Sequence, residues 1–540
     1  MKKTVAGKIV DVWKKEIFEG SIEIEKGRIV CIHRHATSQP GYIIPGFVDA
    51  HVHIESSMLT PEHFGQLTIR CGTVAVVTDP HEIANVMGVQ GIDFMIENSK
   101  RSPIKTFFSI PSCVPATPFD VSGGSISVAD TQRMAASGRF VALSEMMNVP
   151  GVLSQDKDVM AKLDAAKKHG LPIDGHAPML QQEALQTYID NGIRTDHECV
   201  TLEEAQEKIK RGMKILLREG SAARNYEALK SLVQTHPNEV MFCTDDSHPD
   251  ELLSVGHINK LVIRSVANGL DVFDVLKIAS INPIRHYKLD VGQLRVGDKA
   301  DFVVVENLKH FQVKQVYIEG IDRLQWQAPS PLKIRNINRF QHDKIEVTAL
   351  QKAVTEPIKV ISVIKGELLT LVGDYSPTQP TENLEGDPSN DLAKIVYLNR
   401  YTNGVPQVAF CKGFSIQKGA FASSISHDSH NIIAVGCNDN ELAQAINALL
   451  EQKGGLSVCC DNEITVLPLP IGGIMSDAGG AEVARDYRHL CQTAHATGCT
   501  LDSPFMTLSF MSLVVIPEIK IGEKGLFCYS LFDWISPSAS

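Results

Sequence analysis

Between residues 43 and 287 the sequence repeats one alternation eight times: a short apolar run rich in β-branched residues, then a stretch with helical spacing of its apolar positions. The runs end near His53, His81, Ser112, Glu145, His176, His197, Glu219 and Asp245. Such alternation commits a chain to parallel strands joined by helical crossovers, and eight repeats predict an α/β fold built on a closed (β/α)8 TIM-type barrel. An open, doubly wound sheet fits less well, because no Gly-x-Gly-x-x-Gly follows the first strand. Polar residues collect at the C-terminal ends of the runs, the rim where such barrels carry their chemistry.

The flanks have a different texture. Residues 1–42 hold short strand-like runs around a Lys26-Gly27 turn, too few to fold alone, and similar runs return at 291–305 and 313–320. The expectation is a small composite β-domain made of 1–42 plus 288–325, enclosing a barrel at 43–287. A connector rich in Pro, Asn and Arg spans 321 to about 350. Beyond it, residues 345–540 read as a C-terminal α/β domain, with strands near 358–363 and 407–410 and a helix near 441–450.

The first barrel strand ends in His51 and His53. Side chains at i and i+2 of a strand share a face, so these imidazoles can grip one metal ion. The pair alone is weak evidence. His176 and His197, however, end the fifth and sixth strands and Asp245 the eighth, which puts four imidazoles and a carboxylate on one rim. Zinc, manganese and ferrous iron all suit that donor set. Two ions ~3.5–4 Å apart need a shared ligand. The fourth strand ends in Glu145 with no lysine beside it, so Glu145 is the bridge on offer.

The order His51-x-His53, His176, His197, Asp245 resembles the amidohydrolase superfamily. The phrases at 45–59, Thr78-Asp79-Pro80-His81-Glu82, Leu217-Arg218-Glu219-Gly220-Ser221 and Cys243-Thr244-Asp245-Asp246-Ser247-His248-Pro249 are similar to those of bacterial adenine deaminases. So are 422–436, with His427-Asp428-Ser429-His430, and 467–477. The resemblance covers nearly the whole chain, although the segment before Pro45 is shorter than in longer relatives. It implies hydrolytic removal of the 6-amino group of adenine, giving hypoxanthine and ammonia in purine salvage. The cofactor it implies is two divalent metal ions, expected as manganese or ferrous iron with zinc also suited, on His51, His53, Glu145, His176, His197 and Asp245.

A water between two such cations loses a proton near neutral pH. Asp245, bound through one oxygen, is expected to accept that proton with the other and pass it to the leaving amine. Asp246, next along a strand, should face away. Attack on an aromatic ring also needs a donor at a ring nitrogen. Some deaminases place Glu three residues after the fifth-strand histidine, but Met179 stands there. Glu82 is therefore assigned that task, with His81 either touching substrate or orienting a metal ligand. Arg218, Glu219 and Ser221, at the end of the seventh strand, and Glu55, after the His-x-His, are assigned to substrate binding, with helix capping as the alternative for Glu55. The cluster His427, Asp428, His430 is open between a further metal site, a lid and a hydrogen-bonded turn. A cyclic-amide hydrolase would use the same barrel and metals; a non-catalytic descendant would carry a broken ligand set, and this one is intact.

Composition bounds the partners. A formal charge of -11 argues against nucleic acid. No apolar run reaches the ~18–20 residues of a membrane span, and the basic N-terminus lacks an apolar signal core. The twelve cysteines are scattered apart from Cys459-Cys460 and read as reduced thiols. The expectation is a cytoplasmic enzyme, a homodimer, acting on adenine as a small-molecule substrate, without nucleic acid or membrane partners.

Overall fold

The computed structural model describes residues 2–221, 223–326 and 337–538. Much of the expected Pro-, Asn- and Arg-rich connector, residues 327–336, lies outside the described residues. The first strands are β1 (Lys2–Asp11), β2 (Glu16–Glu25), β3 (Arg28–Arg34) and β4 (Tyr42–Pro45). β2 and β3 are joined through Lys26 and Gly27, both at positive φ (51° and 75°), the geometry that matches the twist of a two-residue hairpin. The apolar run 43–48 reads as one strand, yet the structure splits it at Gly46. A Cβ there would sit 2.3 Å from a methyl carbon of Val74, so only glycine allows the two backbones to approach so closely.

After the break come eight parallel strands: β5 (Phe47–Val52), β6 (Thr73–Thr78), β7 (Lys105–Ile110), β8 (Phe140–Met146), β9 (Ile173–Gly175), β10 (Thr195–Asp196), β11 (Lys214–Arg218) and β12 (Val240–Cys243). β5 to β9 pair in order, as do β10 to β12. The circle closes through Arg194 N to Ile173 O (3.0 Å) and Asp245 N to His51 O (3.0 Å). The chain therefore forms a (β/α)8 barrel. Its strands read as unbroken apolar runs because they are covered on both faces, and β5 and β6 are buried at every position.

The chain then returns with β13 (Phe302–Val305), β14 (Val313–Ile318) and β15 (Ile321–Asp322). β13 runs antiparallel to β4, from Phe302 opposite Pro45 to Val305 opposite Tyr42. Strands from either side of the barrel thus share one seven-stranded sheet, ordered β15-β14-β13-β4-β1-β2-β3.

A second sheet follows: β16 (Ile358–Val363), β17 (Thr370–Tyr375), β18 (Ala393–Leu398), β19 (Gln407–Lys412), β20 (Ala420–Ser423), β21 (Ile432–Gly436), β22 (Gly455–Cys460) and β23 (Glu463–Pro468). The helix Asp439–Gln452 starts where the Asn438 side chain accepts from Glu441 N, and it buries Leu442, Ile446 and Leu449 along one stripe. The β20–β21 connection, residues 424–431, is buried throughout and enters the barrel mouth, where Asn431 Nδ2 donates to Val121 O at 2.8 Å.

Candidate active site

β5 delivers His51 and His53 into the barrel with ring centroids 4.7 Å apart, edge to face. His197, just past β10, stacks on His51 at 4.5 Å and 20°. Glu145, near the end of β8, lies between them: Oε1 is 3.2 Å from His53 Nε2, while Oε2 is 3.2 Å from His197 Nε2 and 2.8 Å from His176 Nδ1. Asp245 completes the ring, with Oδ1 3.1 Å from His53 Nε2 and 3.5 Å from His51 Nε2. The six expected ligands are thus brought together, all but His176 buried.

β12 ends at Cys243, and Asp245 adopts φ 55°, a left-handed conformation costing a non-glycine residue ~1 kcal/mol or more. Backbone hydrogen bonds to His51 and from His53 hold it there. His51 Nε2 is buried without a hydrogen-bond partner, and imidazole nitrogens converge on carboxylate oxygens within 4.8 Å of one another. That orphan nitrogen and the mixed N/O donors fit divalent cations.

On the rim, Arg218 Nη1 donates to Asp245 Oδ2 at 2.6 Å and contacts Glu198 Oε1. The Asp245 oxygen expected to be free is therefore clamped. The amidohydrolase family model matches residues 42–321, and the adenine deaminase C-terminal domain model matches residues 368–533. An adenine deaminase from Methanosarcina mazei is 48% identical over 550 residues, covering 99% of each chain. The chain belongs to the adenine deaminase family. Another family member, an adenine deaminase from Parabacteroides distasonis, is 44% identical over 536 residues and covers 98% of each chain. A solved D-hydantoinase covers 61% of this chain and 97% of its own at 13% identity, with a TM-score of 0.46.

In this adenine deaminase family member the electrostatics of the cluster are reciprocal. Burial works to raise the Glu145 carboxyl, but hydrogen bonds from His176, His197 and His53 hold it well below the usual range. Burial likewise opposes charge on His53, which Asp245 and Glu145 nevertheless raise well above its ordinary value. The imidazoles and carboxylates thus pair as opposite charges, and a cation bound here would take the place of the His53 proton, because only a neutral imidazole ligates.

His81 Nδ1 lies 2.9 Å from Asp79 Oδ2, which fixes its ring 4.4 Å from that of His53. Glu82 does not take the form expected of a proton donor. Its Oε1 is 2.8 Å from His427 Nδ1, and its Oε2 contacts His430 Nε2. Burial would raise its pKa, but His427, His430 and His81 pull it well below normal, leaving an ionised acceptor. Three residues assigned to substrate are not brought to the cluster. Glu219 pairs bidentately with Arg264 at 2.8 and 2.9 Å, because strand alternation turns it away from Arg218. Ser221 Oγ accepts from His248 N at 2.8 Å and lines a separate cleft of about 560 Å3 between barrel and C-terminal domain. Glu55 Oε1 accepts from Ile83 N at 3.2 Å beneath the Glu82 helix.

Two acidic cavity residues escaped the sequence reading, as did the cavity's apolar lining. Glu198 lies 3.3 Å from His197 Nε2, and its one signal is that it follows that histidine directly. Asp246 was expected to face away, but the strand stops before it; it lines the cavity and its Oδ1 accepts from Ser56 Oγ at 2.6 Å. The cavity above the cluster is about 50 Å3 and is roofed by Leu368, Phe510, Leu513 and Ile516 of the C-terminal domain, beside His427 and Asp428.

Proposed function

We propose that this protein hydrolyses adenine to hypoxanthine and ammonia at a pair of divalent metal ions, manganese or ferrous iron, as a step of purine salvage in the cytoplasm. The observation that carries the reading is the convergence of four imidazoles, three of them buried, on Glu145 and Asp245, with His51 Nε2 unpartnered. His51, His53, Glu145, His176, His197 and Asp245 would hold the ions, Glu145 lying between the His53 and His197 sides. Such a pair, when bound, lowers the pKa of water toward ~7 and so supplies a nucleophile at neutral pH.

The chain's own groups do the rest. Arg218 fixes Asp245 through Oδ2, leaving Oδ1 turned toward the cluster, where it can take a proton from the attacking water and give it to the departing amine. Asp79 orients His81 so that Nε2 faces the cavity wall. The apolar roof covers the faces of a flat heterocycle and excludes bulk water.

The test is ammonia release from adenine, adenosine and AMP by protein reconstituted anaerobically with manganese or iron, alongside metal analysis. The expected result is the highest kcat/KM for free adenine with two ions per chain. Opening of a cyclic amide with no turnover of adenine would overturn the substrate. A stoichiometry fixed at one ion would remove Glu145 as a bridge.

A further inference from the structure

The C-terminal domain contributes a carboxyl group whose place the barrel chemistry leaves unexplained. Asp428, in the β20–β21 connection, is 3% exposed and lines the same cavity as the metal-type ligands. Its Oδ2 is buried with no hydrogen-bond partner. Its Oδ1 is 3.9 Å from both His81 Nε2 and His427 Nδ1, beyond hydrogen-bond reach. Each other carboxyl lining the cavity has at least one side-chain partner: Glu145 and Asp245 among the imidazoles and Arg218, Glu198 on Arg218, Glu82 on His427, Asp246 on Ser56. Glu55 Oε2 and Asp79 Oδ1 are also unpartnered, but neither residue lines the cavity. Leaving a buried oxygen unpaired costs ~1–3 kcal/mol, so a ligand is the natural partner for this one.

Resting on the reading above, we infer that Asp428 is a catalytic residue that hydrogen-bonds N1 of the purine, beside the carbon that is attacked. Asp428 and Glu145 approach the two nitrogens of one ring, His81, at 3.9 and 3.7 Å. Asp428 is thus one imidazole away from the reacting centre. Phe510 stacks on His427 at 4.4 Å and 19° and, with Leu513, gives the cavity an apolar slab against which a planar base can lie.

The carboxyl is suited to donate. Burial raises it to about 7, with Glu82 and Asp120 adding to the effect and His81 and His427 opposing it. A carboxylic acid kept neutral by an apolar site is a known device for hydrogen-bond donation. As oxygen from one water adds to C6, the C6–N1 π pair moves to N1, which takes the Asp428 proton, while the second water proton goes to Asp245. The C6–N6 bond then breaks, N6 leaves as ammonia with the Asp245 proton, and the C6–O π bond forms. The proton on the new oxygen returns to Asp428, since N1 and that oxygen sit on adjacent positions.

The test uses metal-loaded protein carrying Asp428→Ala or Asp428→Asn. Adenine kcat/KM should fall ~100-fold or more in Asp428→Ala and less in Asp428→Asn, whose amide still donates, with metal content unchanged. Dissociation constants for adenine, 1-deazaadenine and 7-deazaadenine locate the contact. Asp428→Ala should weaken adenine and 7-deazaadenine ~10-fold or more and leave 1-deazaadenine within ~3-fold. Equal losses for all three ligands, a loss spared only for 7-deazaadenine, or unchanged adenine turnover would each overturn the inference. Wild-type protein that fails to deaminate adenine would instead overturn the function on which it rests.

Discussion

Replacing Arg218 by methionine (Arg218→Met) removes one buried guanidinium, 7% exposed, that contacts Glu198 and lies 2.6 Å from Asp245. Unit charges ~4 Å apart interact by about 4 kcal/mol at an effective dielectric near 20. Burial works to raise the Asp245 carboxyl, and Arg218 is the largest influence lowering it well below the usual range. Removing that cation lifts the carboxylate pKa, so the base form is lost at higher pH as pH falls. The acid limb of the kcat/KM profile should therefore move upward by ~1–3 pH units. Two buried carboxylates also lose their counter-charge, which costs ~3–5 kcal/mol. Thermal unfolding of metal-free Arg218→Met should show that cost, and the metal-loaded form a smaller one, because bound cations replace the missing charge. Arg218→Lys keeps a charge but cannot serve both partners, and should lie between. An acid limb and a metal-free melting temperature both unchanged in Arg218→Met would refute the reasoning.

His51→Ala should lose bound metal together with activity, as measured by metal analysis after desalting; full metal retention would contradict its role as a ligand. Asp245→Asn should lose ~100-fold or more in kcat while folding normally, whereas Glu219→Gln, which touches only the outer pair with Arg264, should stay within ~3-fold. Lys520 is 1% exposed, and burial lowers its pKa from 10.5 to about 7. Between those values the unfolded chain binds the extra proton, so stability rises with pH and the penalty is full below about pH 7. Lys520→Met should raise the melting temperature most at neutral pH and progressively less toward pH 10, with an upper bound of ~5 kcal/mol; a gain independent of pH would mean the lysine is charged when folded.

The barrel was legible because strands buried on both faces print as plain apolar runs, and a polar residue ending such a run marks the rim. His51, His53, Glu145, His176, His197 and Asp245 all carry that mark. What was hidden lies where strand logic stops. Asp246 follows a left-handed residue, so alternation no longer says where it points. Glu219 carries the same rim mark as Arg218; alternation sends the two to opposite faces, but the run alone does not say which faces in, and the outer pair with Arg264 shows that Glu219 faces out. The split at Gly46 depends on Val74 from another strand. The contact of Glu82 with His427 and His430 joins segments far apart in sequence that no local pattern relates.

The shared seven-stranded sheet has a consequence for how the chain is made. β4 can pair with β13 only after about 250 further residues have been added, which at ~5–20 residues per second takes roughly 13–50 s of translation. Throughout that interval the nascent edge of β4, carrying Ile43 and Ile44, has no antiparallel partner and is a template for pairing with other chains. Synthesis stalled before residue 302 should therefore yield aggregating fragments, and slow decoding within the barrel lengthens the exposure of that edge to holding factors on the ribosome.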